Sequence, residues 1–353
     1  MNKRIEYIDA LRGFTMLLVV SVHVYSLCFM QGNVNDYDLS YNNFFGLFRM
    51  PLFFFISGFV FYKFGRNWDF NTLKNFIISK VRVQLFSTIV FFMLFCFMFQ
   101  RNVENSIIDG QKAGYWFTYV LFIYFLLYIV IDKVICWLER KKTYNNHTII
   151  TTFIIGLFLY YFINNGYLLN ILSPRMTSLL SISKWQYFLF FSLGCFIHKF
   201  YDYYIKFHNY RHIKEGAITL FVGASICIFY QNNSSFLMNN TLLKLLTALS
   251  GIFLIMYIFK ANENNISKST KLGVCLQYIG KRTLDIYFLH YFFLPYNMSY
   301  VGELLNTNPN PLLEFSISLT LALVVIVCCL FVSKIIRISP ILTFFLLGGK
   351  KVQ

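Results

Sequence analysis

Apolar runs of bilayer-crossing length, each closed off by polar residues, recur along the whole chain, at roughly 13–30, 44–62, 84–100, 115–136, 148–164, 184–200, 214–231, 241–260, 279–296 and 312–336. In lipid, a chain that is not a closed barrel satisfies its backbone only as a helix, and about 20 apolar residues make one crossing. The sequence is therefore expected to be all-α, a polytopic integral membrane bundle of about ten transmembrane helices. Composition agrees: of 353 residues 57% are hydrophobic and only 13% charged, where a soluble domain carries about 25% charged. The longest hydrophilic interval is shorter than a small folded domain. A single transmembrane domain is expected over residues 1–353, with its chemistry inside the bundle or at its edges.

Lysine and arginine alternate in number between successive polar segments. The segments that would face the cytoplasm begin with Lys3, Arg4 and Arg12 and end with Lys334, Arg337, Lys350 and Lys351; together they hold 25 of the 31 basic residues. The outer segments hold five, Arg101, Lys112, Arg175, Lys184 and Lys244, and Arg49 falls inside the second run. By the positive-inside rule both termini are cytoplasmic. The net charge of +16 thus reports topology, and being dispersed in short clusters it gives no reason to expect a nucleic-acid partner. Trp116, Trp137 and Trp185 fall near run ends, as an aromatic belt would. Lys3 and Arg4 ahead of an apolar run resemble a signal peptide, but Arg12 and the lack of a small-residue cleavage site argue for a retained first helix. The eight cysteines lie mostly inside apolar runs and form no CxxC pair, so neither disulfide nor metal site is expected. The Asn-rich stretches 231–235 and 306–310 read as exposed turns.

Ionisable residues inside such runs are costly and mark function. Arg12 and His23 are eleven residues apart, which on a helix is about 20° in direction and about 16 Å in depth. One face of one helix can therefore hold an anion at the cytoplasmic boundary and carry out proton chemistry past the midplane. Arg49 enters with the second run, followed by Pro51, which frees backbone carbonyls, and by Ser57-Gly58, where another helix can approach closely. Asp285 and His290 sit five apart in the ninth run and do not share a clean face; His290 is placed to orient a substrate or donate to His23. Lys80 and Arg82 stand where the third helix leaves the cytoplasm and are candidates for gripping phosphates. His198, His208 and His212 read as a solvated basic face.

Five motifs in order, Ile8-Asp9-Ala10-Leu11-Arg12-Gly13 with His23 beyond, Arg49-Met50-Pro51-Leu52-Phe53-Phe54-Phe55-Ile56-Ser57-Gly58, Gly114-Tyr115-Trp116-Phe117, Phe191-Ser192-Leu193-Gly194-Cys195 and Ile286-Tyr287-Phe288-Leu289-His290, resemble the membrane-bound acyltransferase family 3. The resemblance spans nearly the whole chain. It implies a ten-helix core that takes an acyl group, usually acetyl, from acyl-CoA, and gives it to a hydroxyl of a cell-envelope glycan or lipid-linked sugar in a bacterial cell membrane. Arg12 and His23 match the family's essential arginine and histidine, and Arg49 its helix-two arginine. The helix-three basic motif departs from the family's arginine-rich pattern at Gln84 and in the Lys80/Arg82 spacing. Acyl-CoA enters as donor substrate and no bound cofactor is implied. No appended extracytoplasmic hydrolase-like domain, as some members of the family carry, is expected, so the acceptor is expected to be handled by the bundle.

Two other function classes fit a ten-helix chain. A transporter or flippase of a lipid-linked sugar accounts for buried charges, but it commonly shows inverted repeats and paired broken helices, neither of which is visible here. A non-catalytic membrane partner of a polysaccharide synthase would not need Arg12 and His23.

Overall fold

Apolar periodicity becomes helix throughout the residues that the computed structural model describes, 5–31, 40–140, 146–231, 240–307 and 309–349. Lys3, Arg4, Lys141, Lys142, Lys350, Lys351, residues 232–235 of the expected turn, and Asn308 lie outside them. The helices used below are α1 (Glu6–His23), α2 (Arg49–Phe61), α3 (Phe70–Lys80), α4 (Ser87–Met98), α5 (Trp116–Leu138), α6 (Asn146–Asn164), α7 (Phe188–Lys199), α8 (Arg211–Gln231), α9 (Asn240–Ala261), α10 (Lys271–Lys281), α11 (Thr283–Phe293), α12 (Pro311–Ile336) and α13 (Pro340–Leu347). No strand occurs among the described residues.

Seven segments there are long and apolar enough to cross a membrane: Glu6–Phe29, Tyr41–Phe61, Phe70–Met98, Trp116–Leu138, Asn146–Asn164, Thr241–Ala261 and Pro311–Ile336. The runs expected at 184–200, 214–231 and 279–296 also form helices, α7, α8 and α11. Helices α7 and α11 have 12 and 11 residues, fewer than the roughly 20 of an unaided span, and both are mostly buried within protein. The 306–310 stretch is not wholly a turn, since Asn306 and Thr307 close the helix Ser299–Thr307.

Two of the spans change hydrogen-bonding register midway. Helix α1 passes into a π turn, Val24–Phe29, directly after His23. Helix α3 passes into another, Val81–Phe86, directly after Lys80, and α4 continues from it. Lys80 and Arg82 therefore stand within a continuous 29-residue helical span. A π turn sends each N–H one residue further back than an α turn, and such turns are frequent at functional sites.

The chain forms two compact units: Met1–Phe53 with Asp202–Ser333, and Phe54–Tyr201 with Lys334–Gln353. In the first, α1 and α10 meet backbone to backbone. A Cβ on Gly13 would lie 2.0 Å from the Leu276 carbonyl oxygen, and one on Gly280 would lie 1.9 Å from that of Asp9. In the second, α2 and α7 meet the same way, Gly58 against the Phe191 carbonyl and Gly194 against that of Phe55, and the Cys195 thiol donates to the Gly58 carbonyl (3.3 Å). Small residues permit this approach where lipid supplies no hydrophobic drive between helices.

The three histidines expected on a solvated face are placed differently. His198 lies in α7, stacked on Phe59 with ring centroids 4.5 Å apart and its Nδ1 against the Phe59 carbonyl. His208 stacks on Tyr257 at 4.3 Å. Tertiary aromatic contacts, invisible to local charge pattern, cover both rings. His212 alone is exposed, beside Glu215.

Candidate active site

Arg12, His23, Arg49 and His290 all belong to the first unit, while Ser57, Lys80 and Arg82 belong to the second. Helix α1 runs unbroken from Glu6 to His23, so Arg12 and His23 share its face, about 16 Å apart along the axis. His23, half-buried, is the last α-helical residue before the π turn.

His23 Nδ1 lies 2.8 Å from His290 Nε2, and His290 is fully buried. The other nitrogen of His290, Nδ1, faces the carbonyl oxygens of Ile286 (3.1 Å) and Tyr287 (2.9 Å). A carbonyl only accepts, so the His290 proton resides on Nδ1 and its Nε2 carries a lone pair. His23 must then donate from Nδ1 to His290. Neutral His23 is thereby fixed as the tautomer whose Nε2 lone pair is available, and no hydrogen bond to that atom occurs among the described residues. The direction is the reverse of the expectation that His290 donates to His23; the backbone of α11, one turn back from His290, sets it.

Tyr291 stacks on His23 with centroids 5.2 Å apart, which restricts the imidazole plane. The guanidinium of Arg49, with Nε and Nη1 buried, stands within electrostatic reach of His23, Tyr41 and Tyr291. The Tyr41 hydroxyl donates to the Ser21 carbonyl (2.8 Å), and its backbone N–H points at the buried Glu314 carboxylate (3.4 Å). Sequence reasoning passed over Glu314, although an acid in the first turn of an apolar run is a signal of the same kind as Arg49.

At the other end of α1, Arg12 Nη2 donates to Thr283 Oγ1 (3.0 Å), with Asp9 3.9 Å away. Asp285 does not join His290. It accepts from Ser333 (2.6 Å) and pairs with Arg282 (3.5 Å), so the two ionisable residues of α11 serve different neighbours, as their five-residue spacing requires. Thr283 and Ser333 were not singled out from sequence, because a hydroxyl in a helix usually returns to its own backbone.

In the second unit Ser57 is half-buried in α2 next to the close-packed Gly58. Lys80 holds its ammonium over Phe125 (4.7 Å) and Arg82 its guanidinium over Phe344 (5.5 Å). Arg82 Nε and Gln84 Oε1 are buried without a hydrogen-bond partner among the described residues.

A family model described as an acyltransferase domain matches residues 5–333. No curated protein and no solved structure matches the chain.

Proposed function

Because the chain belongs to the acyltransferase 3 family, a family of membrane acyltransferases, we propose that it moves an acyl group, acetyl in the first instance, from cytoplasmic acyl-CoA to a hydroxyl of a cell-envelope or exported glycan or lipid-linked sugar. In this reading the whole chain is one acyltransferase domain of a bacterial cell membrane, crossing it ten times with both termini inside. The observation that carries the reading is the bond from His23 Nδ1 to His290 Nε2.

That bond leaves His23 Nε2 as general base. The acceptor hydroxyl gives its proton to Nε2 while its oxygen attacks the thioester carbonyl carbon. The negative charge that develops on the carbonyl oxygen is stabilised by a cation in a low-dielectric site, the part given to Arg49. Collapse breaks the carbon–sulfur bond, and the CoA sulfur takes the proton back from His23. Throughout, His290 accepts from the imidazolium that forms, as its own proton is held by two carbonyls. Arg12 holds a phosphate of acyl-CoA at the cytoplasmic end; Lys80 and Arg82 are further candidates for phosphate, and Ser57 for substrate binding. No bound cofactor and no nucleic acid take part.

The test is transfer of label from radioactive acetyl-CoA into envelope glycan by membranes holding wild type or His23→Ala at matched expression. A general base contributes about 10²- to 10⁴-fold, so label is expected with wild type and lost with the variant. Equal incorporation by both would sink the reading and move the transporter class forward.

A further inference from the structure

Two left-handed turns of the second unit hold a lysine over a tryptophan. Lys112, Ala113 and Gly114 have φ of 47°, 50° and 95°, and Ser181 has φ of 50°. For residues other than glycine this backbone is strained and persists only where surrounding contacts over-determine it. Those contacts are present. Lys112 Nζ donates to the carbonyls of Ile107 (3.0 Å) and Leu179 (2.9 Å), Ser181 Oγ to that of Gly110 (3.1 Å), and the Tyr124 hydroxyl to that of Lys184 (2.6 Å). The first turn delivers Trp116 at the start of α5 and the second delivers Lys184 three residues on, with the ammonium 4.9 Å from the indole centre.

The two lysines of this cluster differ in what they still have to offer. Lys112 uses two of its three donors on the carbonyls that tie the turns together. Lys184, half-buried, makes no hydrogen bond through Nζ and no ion pair among the described residues; Asp109 acts on it only electrostatically. A partly desolvated cation of that kind favours an anion, and cation–π contact replaces only part of its lost hydration. Beside it, half-buried Tyr187 lies offset-stacked on Trp116 (6.2 Å) and stacked on Phe54 (5.3 Å). The partly exposed edges of the Trp116 and Tyr187 rings offer apolar surface to the C–H face of a sugar ring, a face that the headgroups of phosphatidylcholine and phosphatidylglycerol lack.

We propose that Lys184 over Trp116 is the recognition site for an anionic saccharide acceptor, the ammonium binding a carboxylate of the sugar and the aromatic edge contacting its ring. This rests on the acyl-transfer reading and on the topology proposed with it, in which Lys184 is on the outer side. It assigns a use to Gly114-Tyr115-Trp116-Phe117, the motif that the transfer chemistry itself leaves idle.

The test measures binding without turnover. Full-length protein, wild type, Lys184→Gln, Lys184→Arg and His23→Ala, is placed in phosphatidylcholine nanodiscs and titrated calorimetrically, without acyl-CoA, with trigalacturonic acid and with its neutral trimethyl ester. The acid is expected to bind wild type at least about tenfold more tightly than the ester, the scale of one hydrogen bond to a charged group. Lys184→Gln should remove that preference, Lys184→Arg should keep it, and His23→Ala should bind as wild type does. Equal binding of acid and ester, no binding of either, or an unchanged preference in Lys184→Gln overturns the site. Loss of the preference in discs of phosphatidylglycerol also overturns it, since lipid phosphate would then hold Lys184. If acid binding depends on Lys184 while His23→Ala still transfers label normally, the site stands and the proposed chemistry falls.

Discussion

The two π turns invite comparison, because each follows a candidate functional residue and each is pressed by a glycine. Val24–Phe29 follows His23, and Gly302 lies against its Phe29 carbonyl, where a Cβ would stand 2.2 Å from the oxygen. Val81–Phe86 follows Lys80, and Gly348, with φ of 64°, lies against Val83, where a Cβ would stand 2.5 Å from Cα. Around the first turn three side chains are tied down: His23 through Nδ1 to His290, His290 to two carbonyls, and Tyr41 to Ser21. Around the second, Arg82 Nε and Gln84 Oε1 are buried without hydrogen-bond partners among the described residues. The same backbone device thus serves two ends. A group that transfers protons has to be locked in one tautomer and orientation before substrate arrives, whereas a group that binds has to keep its donors for the ligand, since a buried donor left unmade is what a ligand gains by satisfying.

Breaking the first turn should therefore cost turnover, and breaking the second should cost donor affinity. The largest effect is expected from His290→Ala, which frees His23 to adopt the other tautomer. By analogy with outer-shell partners of functional histidines, where losses of about 10–100-fold are typical, kcat should fall by about 100-fold with the KM for acetyl-CoA unchanged. Steady-state transfer kinetics in membranes would decide it; a rise in KM at constant kcat would reassign His290 to substrate binding. Next in size, Arg82→Ala should raise the KM for acetyl-CoA by about tenfold, the worth of one charge-assisted contact, and leave kcat within about twofold. A fall in kcat with normal KM would erase the distinction between the turns.

How much of this was legible in the sequence follows the same division. The eleven-residue spacing of Arg12 and His23 gave their shared face because an α-helix has one period, and α1 is unbroken between them. His290 was visible as a second histidine in an apolar run, but the direction of its bond was not, since that is decided by where the carbonyls of Ile286 and Tyr287 lie relative to Nδ1. Neither π turn was read from the sequence: Val24–Phe29 fell inside the first apolar run, and Val81–Phe86 straddled the expected start of the third at residue 84, with Arg82 placed outside the span. The stacking of His198 and His208 was missed because it depends on Phe59 and Tyr257, distant in sequence. Basic residues between runs were readable as topology, while Lys184 was readable only as one of five on the outer side. That it makes no ion pair among the described residues, while Lys112 donates to two carbonyls, is a tertiary fact.

The smallest expected effect sharpens the comparison from the approach to the second turn. Helix α3, which delivers Lys80 and Arg82, is started by Asp69, whose carboxylate accepts from the Thr72 N–H (3.3 Å). The hydrogen bonds from Thr72 hold its carboxyl below the ordinary value of 3.8. The sign follows from linkage: a carboxyl depressed in the folded state stabilises the helix start above its unfolded pKa, and that contribution is lost as pH falls through the folded value. Protection of the Thr72 amide, measured by hydrogen exchange relative to its intrinsic rate, should therefore drop below pH 4 in wild type. In Asp69→Asn, which keeps a capping oxygen, it should be flat with pH, and in Asp69→Ala low at every pH. Because Asp69 is exposed and a full helical turn and more precedes Lys80, Asp69→Ala should raise the acetyl-CoA KM by less than about twofold, within what a frayed cap transmits, and leave His23-dependent turnover untouched. A loss of kcat in this variant would mean that the start of α3 supports the chemistry itself, and the two turns would then have to be treated as one cooperative element.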